Sequence, residues 1–443
     1  MSGAIAHLGG GLVLRRATKR DADALAAFNA RIHGSPEAPS DGIATWTRDL
    51  LSGAHPTTGP DDFTVVEHAP TGAIVSSLVL ISQRWSYGGI EFGVGRPELV
   101  GSLPEYRRRG LIRRQMEVVH RWSEERGELM QAITGIPWYY RQFSYDLALQ
   151  AHTPRAGSPH NIPKLPEGQP EPYRVRPATE ADLPFLVALH DQVRTRYLLT
   201  VARDRSQWRY ELSGRSEGSE DRLAVCIIER ADGPDASAPA GYLAHWPVRS
   251  ATIYVRAYEL LPDASWLEVS PSVLRYLAGL GAAWERSAPG RRFESYWFSL
   301  AANHPVYRTL PSCFPLRPRP EADYVRVPDL ACFLRQIAPA LEARLRASAA
   351  AYTGELNLSF YRDGVRLAFE RGRLTRVEHW PQPERSQASA AFPEHTFLHL
   401  LFGRLTLDEL QHVFTDCLVR GDTARLLVEA LFPQQPSHVW YLS

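Results

Sequence analysis

Five arginines stand within eight residues, where an apolar strand pattern gives way to a helix pattern. They are Arg107, Arg108, Arg109, Arg113 and Arg114. Cations are disfavoured at a helix N-terminus, which carries free N–H groups and a positive partial charge. The cluster is explained if an anion binds there, and Gly110 lets the backbone approach that anion with no Cβ in the way. The pattern predicts a cradle for a phosphate or pyrophosphate.

The flanking sequence predicts the elements that hold this cradle. Residues 99–103 form a short apolar strand, and Ile112, Met116 and Val119 then recur at helical spacing up to Trp122. An exposed basic face is the alternative, because runs of charge usually face solvent. A P-loop is excluded because no Gly-Lys-Ser/Thr follows, and a dinucleotide fingerprint is excluded because Gly93-Val94-Gly95 lacks a third glycine.

At these residues the chain resembles the GNAT acetyltransferases, whose signature is Gln/Arg-x-x-Gly-x-Gly/Ala between a strand and a helix. Here the signature reads Arg107-Arg108-Arg109-Gly110-Leu111-Ile112, with Ile112 where a small residue is usual. The resemblance implies that this loop binds the pyrophosphate of acetyl-CoA. It also implies that the preceding strand binds the pantetheine through its backbone, at Val100, Gly101, Ser102 and Leu103.

Acetyl transfer needs a proton donor for the leaving thiolate and a proton acceptor for the amine. The family places its general acid where this chain has Tyr140, in a Tyr-x-x-Phe-Gly-Tyr phrase that Tyr140, Phe143 and Tyr145 match, with Ser144 replacing the glycine. A core aromatic is the alternative for Tyr140.

Two residues are candidates for the base. Glu98 precedes the strand and is positioned to act directly or through water, unless it is a solvated carboxylate at a strand end. The resemblance also implies that a C-terminal carboxylate reaches the site, which would be that of Ser443.

A repeated phrase indicates the domain organisation. Arg15-x-Ala17-Thr18-x-x-Asp21 returns as Arg176-x-Ala178-Thr179-x-x-Asp182, a period of about 160 residues, and a helical segment follows each copy. The second unit has no cradle, because residues 267–272 contain neither arginine nor glycine. We therefore expect a degenerate GNAT-like domain there, without a working CoA site.

The C-terminal part has a different pattern. A helix over 330–345 precedes three strands, two of them joined by Asp363-Gly364, and further helices follow. This order resembles the sterol-carrier-protein-like domain, and the whole layout resembles the enhanced intracellular survival acetyltransferases. The expected fold is α/β (α+β), with two tandem GNAT-type mixed sheets and a sterol-carrier-like α+β domain. The predicted limits are 1–151, a Pro- and Gly-rich linker at 152–172, then 173–320 and 321–443.

Composition and charge limit the partners and the cellular compartment to be expected. The chain has 443 residues, a net charge of +1 and 44% hydrophobic residues, so no general attraction to nucleic acid is expected. Cys226, Cys313, Cys332 and Cys417 are far apart, which favours a reduced, cytoplasmic protein. No signal peptide or membrane insertion is expected. No metal is expected either, since His395-x-x-x-His399 has no Glu partner. The family assembles into rings, so the resemblance implies a homo-oligomer.

The function that the resemblance implies is an acetyl-CoA-dependent N-acetyltransferase acting on a primary amine of a small acceptor, polycations included, or of a lysine. An acidic acceptor pocket is then expected, with Glu91, Glu98, Asp61 and Asp62 available for it. The alternative is a non-catalytic CoA-binding, lipid-binding or sensor protein, and transfer of a longer acyl group also stays open.

Overall fold

A computed structural model describes residues 3–34, 38–233, 236–287, 289–319, 322–348, 351–384 and 386–443. These residues form three sheets, of nine, six and five strands. The mixed α/β architecture confirms the predicted fold class, with two sheets of the GNAT kind and a third sheet beyond them.

The N-terminal part of the chain supplies most of the first sheet and the helices that cover it. Its elements are β1 (Ala4–Gly9), β2 (Leu12–Arg16), α1 (Ala22–His33), α2 (Asp41–Ser52), β3 (Phe63–His68), β4 (Ala73–Tyr87), β5 (Ile90–Ser102), α3 (Leu111–Glu125), β6 (Met130–Ile133) and β7 (Asp146–Leu149). Strands β1 to β5 pair antiparallel in sequence order, and β5 then pairs parallel with β6 across α3.

The middle of the chain builds the second sheet. Its elements are β8 (Thr153–Gly157), β9 (Tyr173–Pro177), α4 (Leu183–Arg194), β10 (Leu199–Val201), α5 (Arg205–Arg209), β11 (Ala224–Arg230), β12 (Pro239–His245), β13 (Thr252–Leu260), α6 (Trp266–Ser287), β14 (Ser295–Leu300) and α7 (Pro305–Thr309). The strand order is β8-β14-β13-β12-β11-β9, and β13 and β14 are parallel across α6.

The C-terminal part forms the third sheet and its helices. Its elements are β15 (Asp323–Arg326), α8 (Leu330–Gln336), α9 (Ala338–Ser348), β16 (Gly354–Ser359), β17 (Gly364–Glu370), β18 (Arg373–Trp380), β19 (Ala390–Ala391), α10 (Phe397–Leu401), α11 (Leu407–Val413), β20 (Leu418–Val419) and α12 (Gly421–Leu431). The three long strands β16, β17 and β18 form the predicted antiparallel meander.

The three parts interlock. Strand β15 inserts between β6 and β7 of the first sheet, and β10 pairs with β4. The tail after α12 runs back between the first two sheets, where the Val439 amide donates to the Ala151 carbonyl at 3.1 Å. The C-terminal residues therefore pack against units that are distant from them in the sequence.

The repeated phrase forms the same structure twice. The guanidinium of Arg15 donates to both carboxylate oxygens of Asp21, at 2.9 and 2.7 Å, and to Glu67 at 2.9 Å. The guanidinium of Arg176 bonds Asp182 at 2.9 and 2.8 Å and Glu229 at 2.7 Å. Each triad fixes a strand, the turn after it and a neighbouring strand.

Two predictions about local structure need correction. The predicted linker, 152–172, contains β8, an outer strand of the second sheet in which Pro154 lies opposite Ser299. The prolines of this range predicted a linker, but an outer strand also tolerates proline. The helix predicted over 330–345 is two helices that meet at Ile337, because Pro339 lacks the N–H that a continuous helix needs.

The predicted domain limits stay a prediction, and the last one falls at Pro320 and Glu321, outside the described residues. Within the described residues, every helix is too short or too polar to cross a membrane.

Candidate active site

A cleft opens where β5 and β6 separate. The two strands pair only at Val94 with Met130 and at Gly95 with Gln131, although β5 continues to Ser102. The edge of β5 beyond Gly95 therefore has no strand partner on the β6 side. Backbone N–H and C=O groups on such an edge are available to a ligand.

A β-bulge changes the direction of strand β5 inside this cleft. Val79 lies opposite Glu98 and Ser77 opposite Gly101, so Leu99 and Val100 together face one residue of β4. Leu99 has a φ of +51°, in the left-handed region. Helix α1 packs against the bulge, and a Cβ on Gly101 would overlap the side chain of Ile32. Glycine is required at 101 for this close packing.

The arginine-rich turn lies at the start of α3, where the sequence predicts a cradle. Arg108 and Gly110 both have positive φ, +62° and +75°, and Gly110 is the residue before the first helical turn. The N–H groups of the first helical turn, at Leu111, Ile112 and Arg113, have no acceptor within the helix. Successive amides around left-handed residues form an anion-binding concavity. The surrounding arginines add positive charge there.

The cleft has a volume of about 930 Å³, in the range of ligand pockets. Ten of the predicted site residues line it: Glu98, Val100, Gly101, Ser102, Arg107, Arg108, Gly110, Leu111, Ile112 and Tyr140. The structure thus brings together the strand, the cradle and the tyrosine, which are up to forty-two positions apart in the sequence.

Leu103 and Arg109 are predicted binding residues that do not line the cleft. Leu103 packs into the apolar core instead. The Arg109 guanidinium lies 4.9 Å from the centre of the Tyr106 ring and donates to the Glu105 carbonyl at 3.3 Å. Arg109 therefore points along the turn rather than into the cavity.

Tyr140 lies on the far wall of the cleft, beside Gly135. A Cβ on Gly135 would lie 3.8 Å from the Tyr140 hydroxyl. The ring packs edge-on against Tyr139 and Tyr324, so Tyr140 is also part of the core. Burial raises the pKa of the Tyr140 phenol. The phenol is therefore protonated at neutral pH, as a proton donor must be.

Glu98 lies on the opposite wall and is held by Arg96. Arg96 is fully buried and forms an ion pair with Glu98 two residues away on the same face of β5. Burial lowers the pKa of Arg96 to about 9. The Arg96 guanidinium lies 3.5 Å from the centre of the Tyr441 ring, so the C-terminal tail covers this pair.

Ser443 does not line the cleft. It lines a separate cavity together with Arg215, Arg256 and Tyr441. The tail is anchored near β4, because the amide side chain of Gln83 donates to the Leu442 carbonyl at 2.5 Å. A role for Ser443 as the base stays a prediction.

Of the four acidic residues named for an acceptor pocket, Glu91, Asp61 and Asp62 do not line the cleft. Glu91 pairs with Arg194 at 2.8 Å and with Arg84 at 3.3 Å, on the other part of β5. Asp62 pairs with Arg126 at 2.5 Å. Of the four acidic residues, Glu98 is the one that lines the cleft in the described part of the chain.

His33 lines the cleft and was missed by the sequence analysis. It ends α1 and lies at the bulge, where burial lowers the pKa of its imidazole against an opposing hydrogen bond with the Leu99 backbone. The loop 134–136 also lines the cleft. No local pattern marks these residues, because long-range packing brings them to β5.

The spaced histidine pair has a structural contact. His399, in α10, lies 3.2 Å from a carboxylate oxygen of Asp146 at the end of the first sheet. Within the described residues, no group of three or more His, Cys, Asp or Glu side chains has the arrangement of a metal site.

Sequence comparison places the cleft in a known domain type. Residues 13–148 match the sequence profile of an acetyltransferase (GNAT) domain. The chain therefore contains a GNAT acetyltransferase domain, and its boundaries enclose the cradle, the bulge and Tyr140. Comparison with curated protein sequences gave no match.

Solved structures share the fold over almost the whole chain. A probable N-acyltransferase from Enterococcus faecalis V583 has a TM-score of 0.67 at 12% identity, covering 97% of this chain and 98% of its own. A GCN5-related N-acetyltransferase from Anabaena variabilis has a TM-score of 0.64 at 15% identity, covering 97% and 99%. Eis1 from Mycobacterium abscessus has a TM-score of 0.59 at 13% identity, covering 98% and 99%. At these identities the similarity establishes the fold.

Proposed function

We propose that this protein is an acetyl-CoA-dependent N-acetyltransferase that acetylates a primary amine of a small acceptor or of a lysine. The observation that carries the proposal is the single cleft that joins a bulged, open strand edge, a basic cradle at a helix N-terminus and a protonated tyrosine. The GNAT match over residues 13–148 supports the reaction class.

We further propose that the chain has the layout of the enhanced intracellular survival acetyltransferases, with a sterol-carrier-like third domain. Nearly complete coverage of Eis1 supports this layout. The third sheet, a three-stranded meander with flanking helices, has the order of elements that the resemblance implies.

The cradle is assigned to the anionic end of acetyl-CoA. Arg107 and Arg108 line the cleft beside the free amides of Leu111 and Ile112. Charge-assisted hydrogen bonds to phosphate would then add to the favourable interaction of an anion with the helix N-terminus. The unpaired edge of β5, from Val100 to Ser102, is assigned to the pantetheine.

When bound, acetyl-CoA supplies a thioester carbonyl whose carbon accepts an amine, so that the C–N bond forms as the C–S bond breaks. The Tyr140 hydroxyl donates its proton to the leaving sulfur. Glu98, on the opposite wall, accepts the proton that the amine loses, directly or through water. His33, neutral because burial lowers its pKa, is a second acceptor at the same bulge.

Release of free CoA thiol tests the proposal. The full chain is mixed with acetyl-CoA and a panel of primary amines, and thiol is followed with time. Tyr140→Phe is expected to lower the rate about 100-fold, the typical contribution of a general acid. Tyr307→Phe is the matched control, because the Tyr307 hydroxyl donates to the Phe298 carbonyl at 2.6 Å in the second unit and is not in the cleft.

The outcomes separate an enzyme from a binding protein. Thiol release that Tyr140→Phe lowers about 100-fold and Tyr307→Phe leaves intact supports the proposal. Saturable binding of acetyl-CoA with no thiol released by any amine contradicts it and indicates a CoA-binding or sensor protein.

A further inference from the structure

The segment between β6 and β7, residues 134–145 and here called the tyrosine segment, carries Tyr140 on a short helical turn. That turn, Tyr139–Phe143, is a single 3₁₀-helix. Trp138 before it and Ser144 after it both have a left-handed backbone, with φ of +67° and +65°. Non-glycine residues keep this conformation only where the surrounding structure imposes it. The position of Tyr140 therefore depends on contacts from outside the tyrosine segment.

Strand β15, from the C-terminal part of the chain, fixes both ends of the tyrosine segment. It lies between β6, which leads into the segment, and β7, which leads out of it. Tyr324 of β15 pairs with Ile133, and Val325 pairs with Asp146. The two strands that bound the segment are therefore joined through a strand that the C-terminal part supplies.

A side chain of β15 also contacts Tyr140 directly. The Tyr324 ring packs edge-on against the Tyr140 ring, with the ring centres 5.4 Å apart. The Tyr324 hydroxyl lies 3.5 Å from the carbonyl oxygen of Ile136, a residue that lines the cleft. Tyr324 is 1% exposed, and a ring in a close-packed core has little freedom to move. The Tyr140 ring is therefore held against a rigid surface.

Helix α10 of the C-terminal part makes a second connection to the tyrosine segment. The Nε2 atom of His399 lies 3.2 Å from one carboxylate oxygen of Asp146. The other oxygen pairs with Arg141, the residue after Tyr140, at 2.7 Å. Arg404 donates to Nδ1 of His399 at 3.2 Å, which leaves the proton on Nε2 for Asp146. The His399 and Asp146 side chains are 3% and 7% exposed, so little water competes for this bond.

Helix α3 of the first unit reaches the tyrosine segment further from Tyr140. The Arg113 guanidinium donates to the Gln142 side chain at 2.9 Å, in an exposed bond. An exposed hydrogen bond contributes little, because water competes for both partners. Tyr324 and Asp146 act closer to Tyr140, on its ring and on the next residue.

We propose that the C-terminal part of the chain positions the Tyr140 hydroxyl for acetyl transfer, with Tyr324 and His399 as positioning residues. This inference rests on the proposed function, because it concerns the orientation of the proton donor of that reaction. Misplacement of a reacting group by about 1 Å can lower a rate about 100-fold. The effect falls on turnover rather than on acetyl-CoA binding, because neither Tyr324 nor His399 lines the cleft.

Steady-state kinetics of thiol release test the role of Tyr324. Tyr324→Leu removes the ring and is expected to lower kcat about ten-fold, with the KM for acetyl-CoA changed by less than about two-fold. In a Tyr140→Phe background the same substitution is expected to cause no further loss, because residues that act through one another are not additive. Tyr296→Leu is the matched control and should leave kcat unchanged, since Tyr296 is a similarly buried tyrosine in the core of the second unit.

A probe at position 140 tests the positioning without any need for turnover. The full chain is prepared with 3-fluorotyrosine in place of Tyr140, and its ¹⁹F spectrum is recorded with and without His399→Leu. His399 reaches Tyr140 through Asp146 and Arg141, so a shifted or broadened resonance reports movement of the segment rather than loss of a neighbouring ring. We expect such a change. His245→Leu is the matched control, because His245 is also 3% exposed and lies in the second unit.

The outcomes separate this inference from the proposed function. A loss of kcat of about ten-fold that disappears in the Tyr140→Phe background, with a spectrum that only His399→Leu changes, supports the inference. No loss, an equal loss in both backgrounds, or a spectrum that His399→Leu leaves unchanged overturns it. Absence of thiol release with every amine contradicts the proposed function, and the spectrum alone then decides whether the C-terminal part positions Tyr140.

Discussion

The first and second units share a strand, a turn and a helix fixed by equivalent ion triads, Arg15–Asp21–Glu67 and Arg176–Asp182–Glu229. Each unit also has a parallel strand pair joined by a helix, β5 and β6 across α3, and β13 and β14 across α6. The two units differ beyond the last paired residues of these parallel strands.

In the first unit the strands separate early and leave an open edge. In the second unit β13 and β14 pair at four positions, from Thr252 to Val255, rather than two. Beyond that point the His304 ring bonds the Tyr258 carbonyl at 2.8 Å, and the Trp266 ring lies 4.9 Å from the His304 ring. Side chains of the second unit fill the space that corresponds to the open cleft.

The N-termini of the two crossover helices, α3 and α6, also differ. Gly110 lets α3 begin at a sharp, amide-rich turn, whereas α6 runs from Trp266 with Pro271 inside it and no arginine in its first turns. A ligand site in this fold therefore depends on leaving a strand edge unpaired. The topology alone does not create one.

Removing an aromatic side chain that fills this space in the second unit tests the comparison of the two units most strongly. Trp266→Ala is expected to lower the free energy of unfolding by about 2–3 kcal/mol, because it deletes a large, partly buried ring. It is not expected to create a second acetyl-CoA site, because no anion cradle stands beside it. Urea unfolding and calorimetry measure the two effects, with Trp284→Ala as the control on the same helix. A second site in Trp266→Ala would show that the filling alone separates the units.

Single arginine-to-alanine substitutions test which arginines of the cradle bind acetyl-CoA. Arg108→Ala is expected to weaken acetyl-CoA binding about ten-fold, the size of one lost charge-assisted hydrogen bond. Arg109→Ala is expected to have a smaller effect, because Arg109 stacks on Tyr106 outside the cleft lining. Arg291→Ala, an exposed arginine of the second unit, is the control for titration calorimetry. Equal losses for Arg108 and Arg109 would contradict the geometry of the turn.

The ion triads give a pH dependence shared by both units. The hydrogen bond from Arg176 lowers the pKa of Asp182 from 3.8 to about 2, so the triad stabilises the fold above the unfolded pKa and loses this effect as pH falls from about 4 to 2. The stability advantage of wild type over Asp182→Asn is expected to shrink over that range by about 1 kcal/mol, allowing for solvent screening. Urea midpoints between pH 5 and pH 2.5 measure it.

The first unit is expected to give the same trend. Burial raises the pKa of Asp21, but hydrogen bonds from Arg15 and Thr18 outweigh it and lower the pKa overall. Asp21→Asn therefore serves as the matched variant. A stability advantage that is independent of pH in both variants would show that the triads are not equivalent electrostatic units.

The smallest effect concerns backbone strain at Ser144, the residue that follows Phe143 of the cleft lining. Ser144 has a φ of +65°, and in the second unit the described residues 295–319 contain no non-glycine residue with positive φ. Ser144→Gly is expected to stabilise the protein by about 0.5 kcal/mol, because glycine adopts this conformation without strain. Ser287→Gly, at the end of α6, serves as the control and should give no gain. Loss of stability in Ser144→Gly would mean that the hydroxyl matters more than the strain.

Much of the fold follows from local sequence. The three strands predicted after the helix at 330–345, two of them joined by Asp363-Gly364, are observed as β16, β17 and β18, because turn residues mark the hairpin between them. The repeated Arg-x-Ala-Thr-x-x-Asp phrase predicted two related units, since its charged side chains form the same triad in each. The cradle is predicted from arginines at a helix N-terminus, where cations are disfavoured unless an anion binds, and it stays a prediction.

Other features depend on contacts between distant segments. The insertion of β15 between β6 and β7, the pairing of β10 with β4 and the approach of His33 to the bulge have no signature of their own. The Arg96–Glu98 pair under Tyr441 depends on a tail that is more than three hundred residues away. Periodicity reports which face of a segment is buried, but not which segment buries it.

Titration of acetyl-CoA into the full chain by calorimetry tests the central claim most directly, because it counts the sites. We predict one site per chain, weakened in Arg108→Ala, since the first unit keeps an open edge and the second fills its own. Two sites per chain would contradict the comparison of the units. No binding at high ligand concentration would contradict the assignment of the cleft itself.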